Sequence, residues 1–391
     1  MDGITIDQKI PKWGICFGIF YRMLMKPMDN LEITEVLYGQ FLQYLKRDDI
    51  TDVDFNGRDL WIRDVNVGRV KVTDQDVVEQ LTENFIESFT AAVSNMLGEN
   101  LTATNPTLEA ETGNYRITVV HKSVAITGTG ICIRKTLPEQ RIKPGKAIQE
   151  HYCEEKVLHL LANCVKARLN MVFCGEPGVG KTECAKFLTT FIPEEEKVIT
   201  VEDTLELHYH EINPGKDCME IRVNEHYSYA DAMSTVLRLT PKRVMLSETR
   251  SIEVKYLIQC WTTGISGFTT LHTDDVRKIP DRILNMLENK QDAERLENDV
   301  YVGMDVGVLL ETRYDPQKEI YERYISQIGF FSRENGKNYC NLIVRNGKLE
   351  NEDIVLPEDI ELRMEKSGIS NAFYCEELEE LMKKESLEAV S

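Results

Sequence analysis

The stretch Asn170 to Thr182, NMVFCGEPGVGKT, holds residues whose types and order suit triphosphate chemistry. An apolar run, Met171 to Cys174, passes directly into Gly175-Glu176-Pro177-Gly178-Val179-Gly180-Lys181-Thr182, a complete G-x-x-x-x-G-K-[ST] phosphate loop. Glu183 to Phe191 then reads as a helix. Strand, glycine loop and helix must come in that order, because the loop N–H groups and the helix N-terminus have to converge on one anion. Gly178 and Gly180 permit backbone angles and close approaches that a Cβ would obstruct. Lys181 is expected to reach the β- and γ-phosphates, and the Thr182 hydroxyl to ligate Mg²⁺.

Acids at neighbouring strand tips are the second signal. VITVEDTLEL ends an apolar run in Glu202 and Asp203, with Glu206 shortly after, and TPKRVMLSETR does the same with Glu248. Beside a γ-phosphate, Mg²⁺ and the attacking water both need anionic or polar oxygen partners, so such acids have a role there. TTGISGFTTLHT, Thr262 to Thr273, adds another tip: Gly264 and Gly267 mark a turn, and Phe268 to Leu271 deliver His272. A lone histidine is as a rule a structural hydrogen-bonding residue. At this sheet edge a γ-phosphate sensor or water-orienting role stands level with that reading.

Those tips have to be carried by one sheet. After the phosphate loop, apolar runs alternate with helical patterns: Lys197 to Val201 as strand, Tyr229 to Leu239 as helix, Arg243 to Leu246 as strand, Ile252 to Thr263 as helix, Gly267 to Leu271 as strand and Val276 to Leu287 as helix. The pattern predicts an α/β domain with a mostly parallel sheet covered on both faces and ligands at the C-terminal strand edge, which brings Gly175, Glu202, Ser247 and His272 together. Glu150 to Leu169 is a helical lead-in. Glu288 to Met304 reads as a charged helix, and Val306 to Leu310, Ile320 to Ile328 and Asn341 to Val344 as further strands.

Ahead of this lies a smaller α+β domain. Residues 1–30 read as an irregular, partly apolar segment, and Leu31 to Lys46 carry a helical period. ITDVDFNGRDLWIRD is a hairpin turning at Asn56-Gly57. Gln75 to Leu97 reads as one long amphipathic helix with Asp74 as N-cap and Gly98 as terminator, and Tyr115 to Val120 and Ser123 to Ile133 alternate like strands. The division expected is 1–30, an α+β domain over 31–144, a nucleotide domain over 145–350 and an acidic helical tail over 351–391, with Lys143-Pro144-Gly145 as a linker. The tail reads as a solvated terminal helix, a partner-binding helix being the alternative.

A formal net charge of -19 works against a sequence-independent grip on DNA or RNA, and no direct sequence-specific nucleic-acid binding is expected. The ten cysteines include no C-x-x-C pair, which argues against a zinc site of the usual spacing and fits a reducing compartment. No stretch approaches the ~18 apolar residues needed to span a bilayer. The nearest, Trp13 to Met25, is broken by Arg22 and reads as a packed element, so a cytoplasmic protein is expected.

In order and spacing, the phosphate loop, the VEDTLEL acids, the PKRVMLSETR strand and the TGISGFTTLH segment resemble the Walker A, aspartate, Walker B and histidine boxes of the type II/IV secretion (traffic) ATPases. ITDVDFNGRDLWIRD and YRITVVHKSVAITGTGICIRK resemble that family's N-terminal domain, so the likeness runs from about Ile50 to Leu310. It implies a RecA-like P-loop motor domain behind an α+β N-terminal domain, assembled as a homo-oligomer, a hexameric ring, on an inner-membrane platform protein at the cytoplasmic face. It further implies that Glu248 polarises the attacking water, that Glu202 and Glu206 support Mg²⁺ and water, and that His272 senses the γ-phosphate. Arg116 and Arg134 match arginines that close over the nucleotide, and Arg250 is a similar candidate. Two departures stand out: Ser247 where the family has Gly, and Ile265 where it has His. They leave slow hydrolysis open, and with it a nucleotide-gated ring scaffold as the alternative to a motor. The missing C-x-x-C pairs and retraction-motor motif make the tight-adherence and conjugation-type motors the nearer branch.

Overall fold

The computed structural model describes residues 35–112, 114–251, 253–287, 293–351 and 354–388. The expectations for residues 1–30, including the run Trp13 to Met25, fall outside that set. The chain divides into two compact units, one of residues up to Asp64 with Arg69–Thr136, the other of Leu137 onward with Val65–Gly68.

The first unit is built on six strands, β1 (Ile50–Phe55), β2 (Leu60–Asp64), β3 (Gly68–Lys71), β4 (Thr107–Glu111), β5 (Tyr115–Val120) and β6 (Gly130–Lys135), in the order β3-β2-β1-β6-β5-β4. The expected hairpin joins β1 to β2, with the Asn56 side chain accepting the N–H groups of Arg58 and Asp59 while Gly57 takes φ +90°. Alternate strand residues Val53, Phe55, Ile117, Val119, Ile131 and Ile133 share a core with Ile86, Phe89 and Val93 of helix α1 (Glu83–Leu97).

Several local expectations change here. Gln75 to Leu97 is not one helix: Asp74 caps a short turn, Gln75–Val78, and α1 starts afresh behind Thr82, whose hydroxyl accepts the Phe85 N–H at 3.2 Å. A threonine that satisfies an orphan N–H starts a helix more readily than it continues one. Thr82→Ala should therefore lower stability by about 1 kcal/mol in urea denaturation. Gly98 ends α1 at φ +70°, as read. Within Ser123 to Ile133 only the part from Gly130 is strand, because Val124 and Ala125 turn back onto the His121 carbonyl. Leu31 to Lys46 is broken into short turns at Gly39, where φ is +48°; its first residues, up to 34, lie outside the described set.

The second unit is an α/β layer structure. Helix α2 (Glu155–Lys166) leads to β7 (Met171–Cys174), α3 (Lys181–Thr189), β8 (Val198–Glu202), β9 (Cys218–Arg222), α4 (Tyr229–Arg238), β10 (Arg243–Leu246), α5 (Glu253–Thr262), β11 (Ser266–Leu271), α6 (Ile279–Met286), α7 (Ala293–Gly303), β12 (Val306–Asp315), β13 (Ile320–Glu334), β14 (Lys337–Arg345) and β15 (Lys348–Leu349). The sheet order is β15-β14-β13-β12-β7-β11-β10-β8-β9. From β9 to β12 every neighbour is parallel; β13 to β15 then run antiparallel. Met171 and Phe173 enter one apolar cluster and Val172 and Cys174 the other, so the sheet is buried on both faces, as parallel strands require.

Lys143-Pro144-Gly145 forms the entry to a short helix, Pro144–Gln149, with Pro144 in its first turn, where its missing N–H costs nothing. The expected solvated tail is overturned. Helices α8 (Glu358–Lys366) and α9 (Glu376–Glu388) bury Ile360, Met364 and Leu378 against α2 and its neighbours. Asn163 donates to the carbonyls of Asn371, Ala372 and Tyr374, and Arg363 pairs with buried Asp305 at 2.6 Å. The Glu385 carboxylate accepts the Gly145 N–H at 2.8 Å, and His159 Nδ1 accepts the Cys375 N–H at 2.9 Å.

Candidate nucleotide site

Parallel register decides which strand tips meet. Cys174 stands beside Leu271, and Leu246 beside both Thr269 and Val201. Gly175, Glu202, Ser247 and His272 therefore leave the sheet along one edge, the C-terminal edge of four adjacent strands. Between Cys174 and α3 the loop turns through Gly175, Gly178 and Gly180 at φ +141°, +82° and +96°, values open to glycine. A Cβ at Gly175 would run into the Leu310 carbonyl and, at 2.9 Å, the Val179 side chain, so the loop starts pressed against β12. Glu176, Pro177 and Gly178 are exposed, while Val179 and Lys181 are buried.

Lys181 Nζ donates to the carbonyls of Gly175 (3.2 Å) and Glu176 (3.0 Å) and lies 3.2 Å from His272 Nδ1. Burial draws its ammonium below the usual lysine value, and Glu248 and Glu206 partly offset this. His272 Nδ1 also lies 3.0 Å from the Gly175 carbonyl, which can only accept, whereas the ammonium can only donate; the ring's tautomer chooses between them. On its other side Nε2 meets Glu248 Oε1 at 2.9 Å. Lysine, imidazole and carboxylate form one chain of contacts.

Arg250 closes that chain with a 2.6 Å pair to Glu248 Oε2, and its Nη1 sits 3.8 Å from Asp203. Burial works to raise the Glu248 carboxyl, but Arg250, His272 and Lys181 outweigh it and hold it below the ordinary carboxylate value. Glu202 is different. Its Oε2 accepts the N–H groups of Glu206 (2.9 Å) and Leu207 (3.1 Å), yet Oε1 is buried with no partner, and burial pushes the carboxyl up to about 8. The Thr182 hydroxyl donates to Glu206 at 3.3 Å. A hydroxyl, a second carboxylate and an orphaned carboxylate oxygen are hard donors of the type Mg²⁺ takes with a triphosphate.

Arg116 and Arg134 belong to the first unit, directly opposite each other on β5 and β6. Like charges in that register repel. Glu109, 3.5 Å from Arg116, and Asp52, 2.8 Å from Arg134, balance them. Ser247 takes no left-handed backbone angle, so a side chain is accommodated there without strain. Ile265 precedes β11 and packs on the core at the end of that strand opposite His272, away from the edge that carries the candidate site. One residue that local pattern did not mark reaches the loop: Arg323 of β13, whose guanidinium meets the Gly178 carbonyl.

Among the described residues one cluster offers metal-ligand types elsewhere, Glu155, His159 and Glu379. His159 Nδ1 is an acceptor for Cys375, which leaves the proton on Nε2, facing Glu379 at 3.4 Å and Glu155 at 3.9 Å. A ligating histidine has the reverse arrangement, with its second nitrogen donating, so this trio is a hydrogen-bonded link between α2 and α9.

A family model described as type II/IV secretion system protein matches residues 94–372. An uncharacterized protein of Bacillus anthracis is 27% identical over 311 residues, 77% of this chain and 69% of its own. VirB11 of Rhizobium radiobacter is 26% identical over 177 residues, 44% of this chain; the match spans 50% of the length of that relative. Of solved structures, the ATPase DotB of Yersinia pseudotuberculosis superposes with TM-score 0.53 at 15% identity, covering 92% of this chain and 88% of DotB. The pilus retraction motor PilT with bound ADP gives 0.51 at 16%, covering 86% and 87%. At those identities the likeness is one of fold.

Proposed function

The chain belongs to the type II/IV secretion system protein family, and from that premise we infer that it is an ATP-hydrolysing motor of the conjugation or tight-adherence type. Its second unit is a RecA-like P-loop α/β domain, preceded by a smaller α+β domain. The observation that carries the inference is the unbroken contact chain Lys181–His272–Glu248 at the C-terminal edge of the parallel sheet.

Phosphoryl transfer to water is mostly positioning and charge neutralisation, and each residue has a task of that kind. Lys181 exchanges loop carbonyls for phosphate oxygens when ATP enters. Glu248, kept ionised, orients and polarises the attacking water. His272, between Lys181 and Glu248, registers whether the γ-phosphate is present. Thr182, Glu202 and Glu206 hold Mg²⁺, which when bound neutralises charge on the phosphate oxygens. Arg116 and Arg134 are assigned to closure of the first domain over the nucleotide, and ATP, ADP and empty sites then favour different closures. The working form is proposed to be a ring, probed as a hexamer, bound peripherally to an inner-membrane platform from the cytoplasm. Among the described residues no helix is long and apolar enough to cross a membrane.

Two measurements on the purified chain test this. Mass in solution should rise to that of a ring on adding a non-hydrolysable ATP analogue, and steady-state phosphate release should depend on Mg²⁺. Release no greater than that of Lys181→Ala would sink the motor and leave a scaffold.

A further inference from the structure

Arg323 stands on β13 opposite Thr312, 145 residues beyond the phosphate loop it touches. Its Nε and Nη2 each donate to the Gly178 carbonyl at 3.4 Å, and Nη1 donates to the Val65 carbonyl at 2.7 Å. Its Cδ lies 3.6 Å from where a Cβ on Gly180 would stand. A charged fork thus rests on the middle of the loop, anchored at its other end.

The peptide it grips is the soft one. Gly178, at φ +82°, has no Cβ to resist rotation of the following peptide plane, whereas Val179 is fixed by burying its side chain in the core. In a trans peptide the C=O and the N–H point to opposite sides. A guanidinium on the Gly178 oxygen therefore turns the Val179 N–H away from itself. Released, the plane could reverse and aim a carbonyl oxygen where an anion's oxygen must sit.

We propose that Arg323 is a positioning residue for phosphate binding: it locks the Gly178–Val179 peptide so that the Val179 N–H, not the Gly178 carbonyl, faces the phosphates. The proposal rests on the nucleotide reading above and extends it to a residue outside the strands that carry the recognised motifs. Loop N–H groups cradle the phosphates that ATP and ADP share, so the effect falls on both nucleotides. A direct grip on the γ-phosphate would affect ATP alone.

Fluorescent ATP and ADP analogues are titrated against the full chain, Arg323→Ala, Arg323→Lys and Lys181→Ala, with melting followed without nucleotide. Arg323→Ala is expected to weaken ATP and ADP alike by about tenfold, the scale of one charge-assisted contact. KM for ATP should rise in step while kcat changes by less than about twofold. Arg323→Lys, which keeps one donor for the carbonyl, should recover most of the affinity. If Arg323→Ala melts early, Arg323→Lys decides, equal smaller losses for the two nucleotides supporting the proposal. Unchanged binding by Arg323→Ala, or a loss confined to ATP, overturns it while the nucleotide reading stands. A folded wild-type chain that binds neither nucleotide overturns both.

Discussion

Replacing Glu248 by Gln should cut steady-state phosphate release by at least about a hundredfold, with ATP affinity kept within about threefold. The two side chains have the same shape, so binding space is retained; what disappears is the charge proposed to orient and polarise water. The surroundings sharpen the expectation. Both carboxylate oxygens face nitrogen groups, His272 Nε2 at 2.9 Å and Arg250 at 2.6 Å, and an amide nitrogen facing Arg250 would turn a donor toward a donor. The variant therefore loses the charge and loosens the contacts that aim it. Because its carboxyl is held below the ordinary value, Glu248 loses its charge only as pH falls below the usual carboxylate range. Between pH 6 and 9 the wild-type rate should show no limb from Glu248, and equal rates in the two proteins would remove it from the mechanism.

The second large effect concerns Glu202 and stability rather than rate. An unfolded glutamate titrates at 4.5 and this one at about 8, so between those values the folded chain holds a proton that the unfolded chain has released. Stability is then greatest below the unfolded value, falls as pH rises toward 8 and levels off above it. Glu202→Gln removes the ionisation while its amide oxygen still accepts the N–H groups of Glu206 and Leu207. Without nucleotide or Mg²⁺, the variant should match the wild type near pH 5 and exceed it near pH 9 by a few kcal/mol at most, as an order of magnitude. Denaturant midpoints at five pH values would test it, since other groups cancel in the difference. A gap that stays flat with pH would contradict the burial argument. On the proposed role of Glu202 toward Mg²⁺, the same variant should also lose Mg²⁺-dependent stabilisation by ATP, as one buried carboxylate oxygen is gone.

Legibility followed the distance over which each residue is explained. β7, β8, β10 and β11 were readable because each is a short apolar run ending in a residue that does not belong in a core, Gly175, Glu202, Ser247 and His272. Edge strand β9 was not: Cys218–Arg222 has no fully buried residue and no regular alternation, and it carries charge, so it resembles a loop. The break before α1 had a local sign, the capping threonine, overridden by the helical period running through it. Helix α9 shows its leucines but not what buries Leu378, since the apolar cluster it joins includes Val157 and Leu161 of α2, about two hundred residues earlier. Arg323 is the extreme case. Its neighbours in sequence are ordinary strand residues, and only folding puts the phosphate loop beside it.

The clasp between α9 and the start of the second unit has a mechanical consequence. Gly145 and Glu385, 240 residues apart, are hydrogen-bonded, with Cys375 on His159 and Arg363 on Asp305 nearby. Pulling Gly145 and Glu385 apart would have to break the hydrogen bond that joins them. That contact is separate from the strand ladders that hold Gly175, Glu202, Ser247 and His272 in register.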